Sequence, residues 1–431
     1  MDPPLKHHAA AIAVEAPFEA PRELRLRRAS SLTIAVYAAF VLAIAPEGQT
    51  SLRARVAMLA LVASAWLIAQ AVVRAAPRWS LGAGSLLLGF PMVAVGAGVV
   101  GERVYRSRGP RELLGVAASA AAVTLVVLGW RHLLRRVGRP WVAAGIAIAG
   151  TLVVIQLVIY PAAWALLATN RGAPPVATDR TPADVGLAFD DVRIPSYDGL
   201  DLAAWWLPSD NGAAVIVLTG SGSTRDDVLG HAAFLARSGY GVLVPDFRGH
   251  GETPGRSMEL GWQADRDVSA LVTWLREQPR LTGGVGIHGL SLGSMVAITA
   301  AADDPRIAAI VAEGPTSRTW ADARLAPGMN PLMRASWWMR LHLARVFAPE
   351  EEPMPLVGAL RRIEAPILMI SSDDPREQGL ISVYAEASPT TVTTWALDDT
   401  PHAIALFRYP EEYRRRVLGL FDAALLDRGP P

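Results

Sequence analysis

The sequence predicts two regions of different fold class, an all-α transmembrane bundle followed by a mainly parallel α/β sandwich. Hydrophobic residues make up 51% of the 431 residues and charged residues only 19%, whereas soluble domains carry roughly 25% charged residues. Long charge-free runs fill the N-terminal part, and short strand-like and helix-like segments alternate in the rest. That alternation is typical of a parallel sheet covered by helices on both faces.

A membrane domain of four or five transmembrane helices is predicted for residues 31–169, after a basic tail at 1–30. Charge-free runs of about 20 residues match the hydrocarbon thickness of a bilayer. Ser31–Ala45 is shorter and fits either a fifth span or a signal-peptide core, and the uncleaved span is favoured because Pro46 follows directly. The four longer segments are Val56–Val73, Leu81–Val100, Leu113–Trp130 and Trp141–Thr169.

Charge placement predicts the orientation and excludes some functions. With five spans and the N-terminus inside, Lys and Arg are in excess in the inner loops, so the C-terminal domain is expected on the extracytoplasmic side of the cell membrane. The predicted spans carry essentially no charge, which favours anchoring over transport. A formal net charge of +1 gives no electrostatic case for a nucleic-acid partner.

The α/β pattern occupies residues 188–431, after a Pro- and Gly-containing linker at 170–187. Val192–Pro195 and Leu202–Trp206 flank an Asp-Gly turn and predict a hairpin. Further apolar runs predict strands that alternate with helices. They are Ala214–Leu218, Gly241–Val244, Gly284–Ile287, Ile307–Val311, Ile367–Ile370 and Val392–Trp395.

A G-x-S-x-G motif at 289–293 points to nucleophilic catalysis by Ser291. The motif stands between an apolar strand and the helix-forming run Met295–Ala302. In this setting a serine occupies a sharp strand-to-helix turn, and the glycines allow strained backbone and close helix packing. An ordinary glycine-rich turn is the alternative, and the flanking strand and helix disfavour it.

A serine nucleophile needs a base and an acid that orients the base. His402 is predicted as the base because it follows the last strand-like run in a loop, whereas His342 lies in a candidate helix. The acid is expected after the strand Ile367–Ile370, at Asp374 or Asp373, with Asp374 narrowly favoured. A carboxylate just before Pro375 is also a candidate helix N-cap. Asp398 and Asp399 are weaker alternatives for the acid, being too near His402 in sequence.

The oxyanion of an acyl-transfer reaction needs two backbone N–H donors. Leu292 directly follows the nucleophile, and Ser221 lies in the glycine-rich turn after Ala214–Leu218, so these two are predicted to form the oxyanion hole. That turn is not a P-loop, because no Lys-Ser or Lys-Thr pair follows it.

No metal and no cofactor are predicted. The chain has no cysteine, and its eight histidines are scattered without metal-ligand spacing. Asp246 and Arg248 in the D-F-R-G-H-G segment are interpreted as bracing a loop near the site rather than as catalytic residues.

The motifs together resemble the α/β-hydrolase superfamily, and within it the membrane-anchored Bem46-like and serine-aminopeptidase-like hydrolases. The hairpin I-P-S-Y-D-G-L-D-L, D-F-R-G-H-G, G-L-S-L-G, the aspartates at 373 and 374 and His402 stand in that order over about residues 188–427. Thr219 replaces the histidine that often precedes the oxyanion glycine, and the aspartate loop is about one residue shorter. The resemblance implies an α/β-hydrolase sandwich with a helical cap at about 316–361.

The predicted function is that of a membrane-tethered serine hydrolase, an esterase or lipase-like acyl hydrolase with a small-molecule or lipid ester as substrate. The cap carries several Trp and Met residues, which indicates either an apolar acyl group as the substrate part or only packing of the cap on its own domain. The alternatives are a peptidase or amidase of the same fold, or a non-catalytic membrane scaffold that retains the fold.

Overall fold

The computed structural model describes residues 110–135, 137–170, 180–256 and 258–426, together with seven isolated positions between 56 and 90. The predicted segments Ser31–Ala45, Val56–Val73 and Leu81–Val100 lie outside this range, apart from those isolated positions. The basic tail also lies outside it, as does half of the linker, residues 171–179.

Apolar helices precede the sheet. A run of helical structure extends from residue 140 to 170, and a π-helical turn interrupts it just before Pro161. Proline lacks the N–H for the regular helical bond, and a local widening of the helix accommodates this. The elements are α1 (Pro110–Leu134), α2 (Pro140–Val154), the π-helical turn (Ile155–Ile159) and α3 (Tyr160–Asn170).

One helix within the described residues, Pro140–Thr169, is long and apolar enough to cross a membrane. It has 30 residues, its most apolar stretch has a mean hydropathy of 2.5, and only 6% of that stretch is buried. Trp141, Ile148 and Leu152 are among its exposed side chains. Of the four or five predicted spans, one corresponds to a described helix that is long and apolar enough to cross a membrane. The bundle as a whole stays a prediction.

The rest of the chain forms an eight-stranded sheet in the order β1-β2-β4-β3-β5-β6-β7-β8. The β1–β2 pair is the predicted hairpin, β2 is antiparallel to β4, and the other neighbours are parallel. The strands are β1 (Asp190–Pro195), β2 (Asp201–Leu207), β3 (Ala214–Leu218), β4 (Gly241–Pro245), β5 (Val285–Leu290), β6 (Ile307–Glu313), β7 (Ile367–Ser371) and β8 (Val392–Ala396).

Apolar side chains cover both faces of this sheet. Successive residues of a strand point to opposite faces, so Ile216 packs in one core cluster while Val215 and Val217 pack in the other. Full burial on both sides explains why the central strands are continuously apolar rather than alternating. The main covering helices are α4 (Leu229–Arg237) and α12 (Pro410–Phe421) on one face and α5 (Ala264–Arg276), α6 (Leu292–Asp303) and α10 (Pro375–Ala387) on the other.

The connection between β6 and β7 is helical, within the segment predicted as a cap. Its helices are α7 (Trp320–Ala323), α8 (Pro331–Phe347) and α9 (Leu356–Leu360), and a short helix α11 (Ala405–Arg408) follows β8. Thr319 and Asn330 accept hydrogen bonds at the N-termini of α7 and α8. Asp322 accepts the Leu356 N–H at 2.8 Å, which ties α7 to α9.

Helix α8 packs along α3, so the cap is fastened to the end of the apolar helix. The Arg340 guanidinium lies 4.1 Å from the ring centroid of Tyr160 and 4.7 Å from that of Trp337. Trp337 also meets Trp164 edge-on at 6.1 Å. Cations over aromatic faces are attracted by the ring quadrupole, so this contact joins the cap to α3 by more than apolar packing.

Candidate active site

The Ser291 turn joins β5 to α6 and has a strained backbone. Ser291 has φ 51° and ψ −109°, a conformation that residues with a side chain rarely adopt. The turn is held in place by the Ser291 N–H, which donates to the Glu313 carbonyl at 2.8 Å, and by the Gly293 N–H, which donates to the Thr219 carbonyl at 3.0 Å. Strand β5, strand β6 and the turn after β3 thus converge on this serine.

Both glycines of the motif are required by space. A Cβ on Gly289 would lie 2.3 Å from the Gly293 carbonyl carbon, and one on Gly293 would lie 2.5 Å from the Leu218 carbonyl oxygen. Such distances are far inside van der Waals contact, and the neighbouring atoms are backbone that cannot yield. Gly293 is therefore required by the close approach of α6 to β3, and Gly289 by the close approach of α6 to β5.

The structure joins three side chains by two hydrogen bonds. His402 Nε2 lies 2.9 Å from Ser291 Oγ, and His402 Nδ1 lies 2.6 Å from Glu377 Oε2. The second oxygen of Glu377 accepts the Ser372 N–H at 2.6 Å, which fixes the carboxylate. Glu377 is 4% exposed, so the carboxylate is held in a low-dielectric setting where it interacts strongly with the imidazole.

The acid position differs from the prediction of Asp374 or Asp373. Asp374 caps α10 by accepting the Arg376 N–H at 2.8 Å, and its carboxylate pairs with the Arg376 guanidinium at 3.1 Å. Asp373 lies beside the same cavity as His402 and does not bond to it. The N-cap alternative for Asp374 is thus the one that the structure shows, and the orienting carboxylate is one helical turn further on, at Glu377.

The remaining alternatives for base and acid lie elsewhere. Asp399 pairs with Arg408 at 2.8 Å and accepts from the Tyr409 hydroxyl at 2.5 Å. His342 stacks on Trp338 with ring centroids 4.2 Å apart, on the cap helix. Neither side chain is hydrogen-bonded to His402, and neither is Asp398.

Charge around His402 favours its protonated form. The hydrogen bond that His402 donates to Glu377 raises the pKa of His402 above its usual value, against the opposing effect of burial. The charges of Glu377, Glu313 and Asp374 act in the same direction. A carboxylate that stabilises the imidazolium is what a histidine needs to accept a proton from a serine.

The predicted oxyanion residues flank Ser291. Leu292 is the first residue of α6, where the N–H groups have no carbonyl partner within their own helix. A Cβ on Gly220 would lie 3.5 Å from the Ser291 Cβ, so the turn that carries Ser221 lies against the nucleophile. The Ser221 hydroxyl hydrogen-bonds Glu259. The oxyanion-hole assignment of the two N–H groups stays a prediction.

A cavity of about 490 Å³ opens beside His402. Met329 and Trp337 of the cap line it together with the polar cap residues Thr316 and Ser317, and Asp373, Asp374 and Arg376 also line it. Trp337 is also the residue that contacts α3. Trp337 therefore lines the cavity and also packs against Trp164 of α3.

The bracing role predicted for D-F-R-G-H-G agrees with its contacts. Asp246 is buried and accepts the Arg225 and Glu252 N–H groups at 2.9 and 3.1 Å. Arg248 pairs with both Asp198 and Asp267 at 2.6 Å. These bonds tie the segment to the β1–β2 hairpin and to α5 rather than to Ser291.

A second polar cluster lies behind the site and was not anticipated from sequence spacing. His231, His288 and Glu313 are buried, and their donor atoms lie within 4.8 Å of one another. The Tyr413 hydroxyl lies between two of them, 2.7 Å from His288 Nε2 and 2.5 Å from Glu313 Oε2. Tyr413 thus already engages His288 Nε2 and Glu313 Oε2, whereas neither ring nitrogen of His231 has a hydrogen-bond partner among the residues that the structure describes. Burial lowers the pKa of His231 to about 3.

The chain matches a family model over residues 165–408, that of the X-Pro dipeptidyl-peptidase (S15) family. An uncharacterised Mycobacterium tuberculosis protein is 29% identical over 211 residues, which cover 48% of this chain and 67% of the relative. The polyketide transferase grgF of a Penicillium species is 34% identical over 135 residues, 30% of this chain and 46% of that protein.

Among solved structures, the Pyrococcus furiosus esterase Pf2001 is 27% identical with a TM-score of 0.47, and the match covers 59% of this chain and 99% of the esterase. The family match and the sheet order confirm the predicted α/β-hydrolase fold. The matched S15 family is neither of the two named from the motifs.

The geometry predicts which carboxylate controls His402. In Glu377→Gln the pKa of His402, followed by NMR of its ring protons, should fall because a charge is lost at hydrogen-bond distance. In Asp374→Asn it should move much less, since Asp374 is already paired with Arg376 and asparagine still caps the helix. A larger shift in Asp374→Asn than in Glu377→Gln would contradict the observed pairing.

Proposed function

Because the chain belongs to the X-Pro dipeptidyl-peptidase (S15) family and has the α/β-hydrolase fold, we propose that it is a membrane-tethered serine hydrolase that cleaves acyl esters. The observation that carries this proposal is the chain of hydrogen bonds from Ser291 through His402 to Glu377, at 2.9 and 2.6 Å. Both distances lie within the range in which a base activates a nucleophile.

In the proposed mechanism, Ser291 Oγ attacks the acyl carbon while His402 Nε2 takes its proton. Glu377 holds the imidazole and stabilises the imidazolium. The oxyanion forms against the N–H groups of Leu292 and Ser221. Collapse breaks the bond to the leaving alcohol, which takes the proton from His402, and leaves an acyl-enzyme. Water, deprotonated by His402, then releases the acid and restores the serine.

The cavity supports an apolar acyl group as the proposed substrate part. Its cap side includes aromatic, thioether and small aliphatic side chains, which favour acyl chains over charged groups. The scaffold alternative would be favoured by a serine and a histidine too far apart to bond, and the 2.9 Å separation disfavours it.

A peptidase is the second candidate, favoured by the family match and by one feature of the cavity. Asp373 is exposed and lines the same cavity. A carboxylate there offers a partner for the N-terminal ammonium of a short peptide. The same acyl-enzyme chemistry would serve either substrate.

Membrane tethering is proposed on the exposed apolar helix Pro140–Thr169. A soluble chain rarely leaves so long an apolar surface uncovered, and Trp141 at one end suits the membrane–water interface. The arginine distribution favours an extracytoplasmic hydrolase domain. A chain fastened in this way would place its cavity close to the bilayer surface, since α3 contacts the cap.

Replacement of the nucleophile tests the mechanism. Ser291→Ala should abolish fluorophosphonate labelling and reduce ester hydrolysis by at least about 10³-fold, because no other group supplies the attacking oxygen. Ser382→Ala, at an exposed serine of α10, is the matched control and should label like the wild type. Equal labelling of Ser291→Ala and wild type would reject the assignment.

A substrate pair tests the reaction class. Purified protein in detergent is offered p-nitrophenyl esters of increasing chain length and X-Pro p-nitroanilides. The ester proposal expects a higher kcat/KM on esters, rising with acyl length as the apolar wall is filled. A preference for the anilides, lost in Asp373→Asn, would establish the peptidase instead.

Fractionation tests the tether. The full chain in cell membranes should stay in the pellet after alkaline carbonate and be released by detergent, because an inserted helix is held by burial of its apolar surface. Release by carbonate alone would show that the protein is peripheral.

A further inference from the structure

The buried end of strand β6 connects to both halves of the reacting pair. The Glu313 carbonyl accepts the Ser291 N–H at 2.8 Å. The Glu313 side chain accepts the Ala405 N–H at 2.9 Å through Oε1. Ala405 lies three residues after His402, so one residue holds the nucleophile turn through its backbone and the histidine loop through its side chain.

The histidine loop needs such support. Ala403, next to His402, has φ 56°, a left-handed conformation that is unfavourable for a non-glycine residue and persists only when its surroundings fix it. Gly314 lies under the imidazole, since a Cβ there would be 2.6 Å from His402 Cε1. The ring is thus seated directly on the residue after Glu313.

Both oxygens of Glu313 act as acceptors, each for a separate donor. Oε2 accepts the Tyr413 hydroxyl at 2.5 Å, and that hydroxyl also lies 2.7 Å from His288 Nε2. Glu313 is 2% exposed. The pKa of Glu313 is raised above its usual value, mainly by burial and further by the charge of Glu377, although the Tyr413 and Ala405 hydrogen bonds act to lower it.

We propose that Glu313 is a positioning residue. From the carboxyl end of β6 it bonds to both the nucleophile turn and the histidine loop, and so sets the distance between Ser291 and His402. The inference rests on the proposed serine-hydrolase function. It assigns a role to the cluster of Glu313, Tyr413 and His288, none of which reaches the reacting atoms. The determining property is the reach of the side chain to Ala405, with the charge as a second property.

A pair of conservative variants separates reach from charge. Glu313→Gln keeps the length and an oxygen for the Ala405 N–H but loses the charge. Glu313→Asp keeps the charge but withdraws the oxygen by about one carbon–carbon bond. Val311→Ala, buried on the same strand two residues earlier, is the control for general destabilisation, because an apolar side chain makes no hydrogen bond to either loop.

Positioning predicts a particular order on an ester substrate. Glu313→Asp should lose kcat by about 10- to 100-fold, because displacements of about 1 Å in a reacting pair have effects of that size. Its KM should stay within about twofold, since Glu313 is not a residue of the cavity wall. Glu313→Gln should keep kcat within about threefold, and Val311→Ala should lower Tm with kcat unchanged.

The pH dependence gives an independent readout. The charges near His402 are Glu377, Glu313 and Asp374, and each raises the pKa of His402. Removing one of them in Glu313→Gln should therefore move the acid limb of the kcat/KM profile to lower pH. Glu313→Asp and Val311→Ala keep the charge, so their acid limbs should stay near that of the wild type.

Two results would overturn the inference. A lower kcat in Glu313→Gln than in Glu313→Asp would show that charge, not reach, matters. Loss of kcat in both variants only in proportion to Tm, as in Val311→Ala, would show a merely structural role. Ser291→Ala assayed beside them separates this failure from that of the proposed function, because ester turnover persisting in Ser291→Ala rejects the mechanism itself.

Discussion

The close approach of helix α6 to strand β3 is the constraint on which the site depends. The two elements meet where Gly293 touches the Leu218 carbonyl, and only a glycine fits. This contact forces the sharp turn at Ser291, lifts the hydroxyl above the sheet edge and leaves the Leu292 N–H free of helical bonding. The strain at Ser291 is carried by a rigid parallel sheet, whose central strands are buried on both faces.

Features set by local sequence could be predicted, and features set by side-chain length could not. The hairpin, the parallel strands and the Ser291 turn follow from periodicity and from glycines at fixed spacing. The acid could not be placed, because Asp373, Asp374 and Glu377 all lie within six residues of the end of β7. Asp374 precedes a proline and so is used as a helix cap. Glu377 instead reaches the imidazole of His402 with its longer side chain. A Glu three residues after an N-cap is a pattern visible in the sequence.

The buried cluster behind the site shows another limit of sequence reasoning. His231, His288 and Glu313 come from a helix and two strands that are far apart in the chain. No local spacing relates them, and only the strand order brings them together. In the sequence Glu313 looks like an ordinary residue at the end of a strand. In the structure its two oxygens accept hydrogen bonds from the Ala405 N–H and from the Tyr413 hydroxyl of α12.

A carboxyl group in such a place is informative because burying a polar group is costly. Replacing a buried ionic group by apolar residues of similar volume is often neutral or stabilising, so stability alone gives little reason for a glutamate at the end of β6. A strained histidine loop gives a better one, since a directed hydrogen bond to the Ala405 N–H fixes orientation where apolar packing would not. The cap side of the cavity adds no comparable directed bond to His402, and Glu377 supports the ring only from its Nδ1 edge. Accurate alignment of the imidazole with Ser291 therefore depends on support from the carboxyl end of β6, where Glu313 and Gly314 lie.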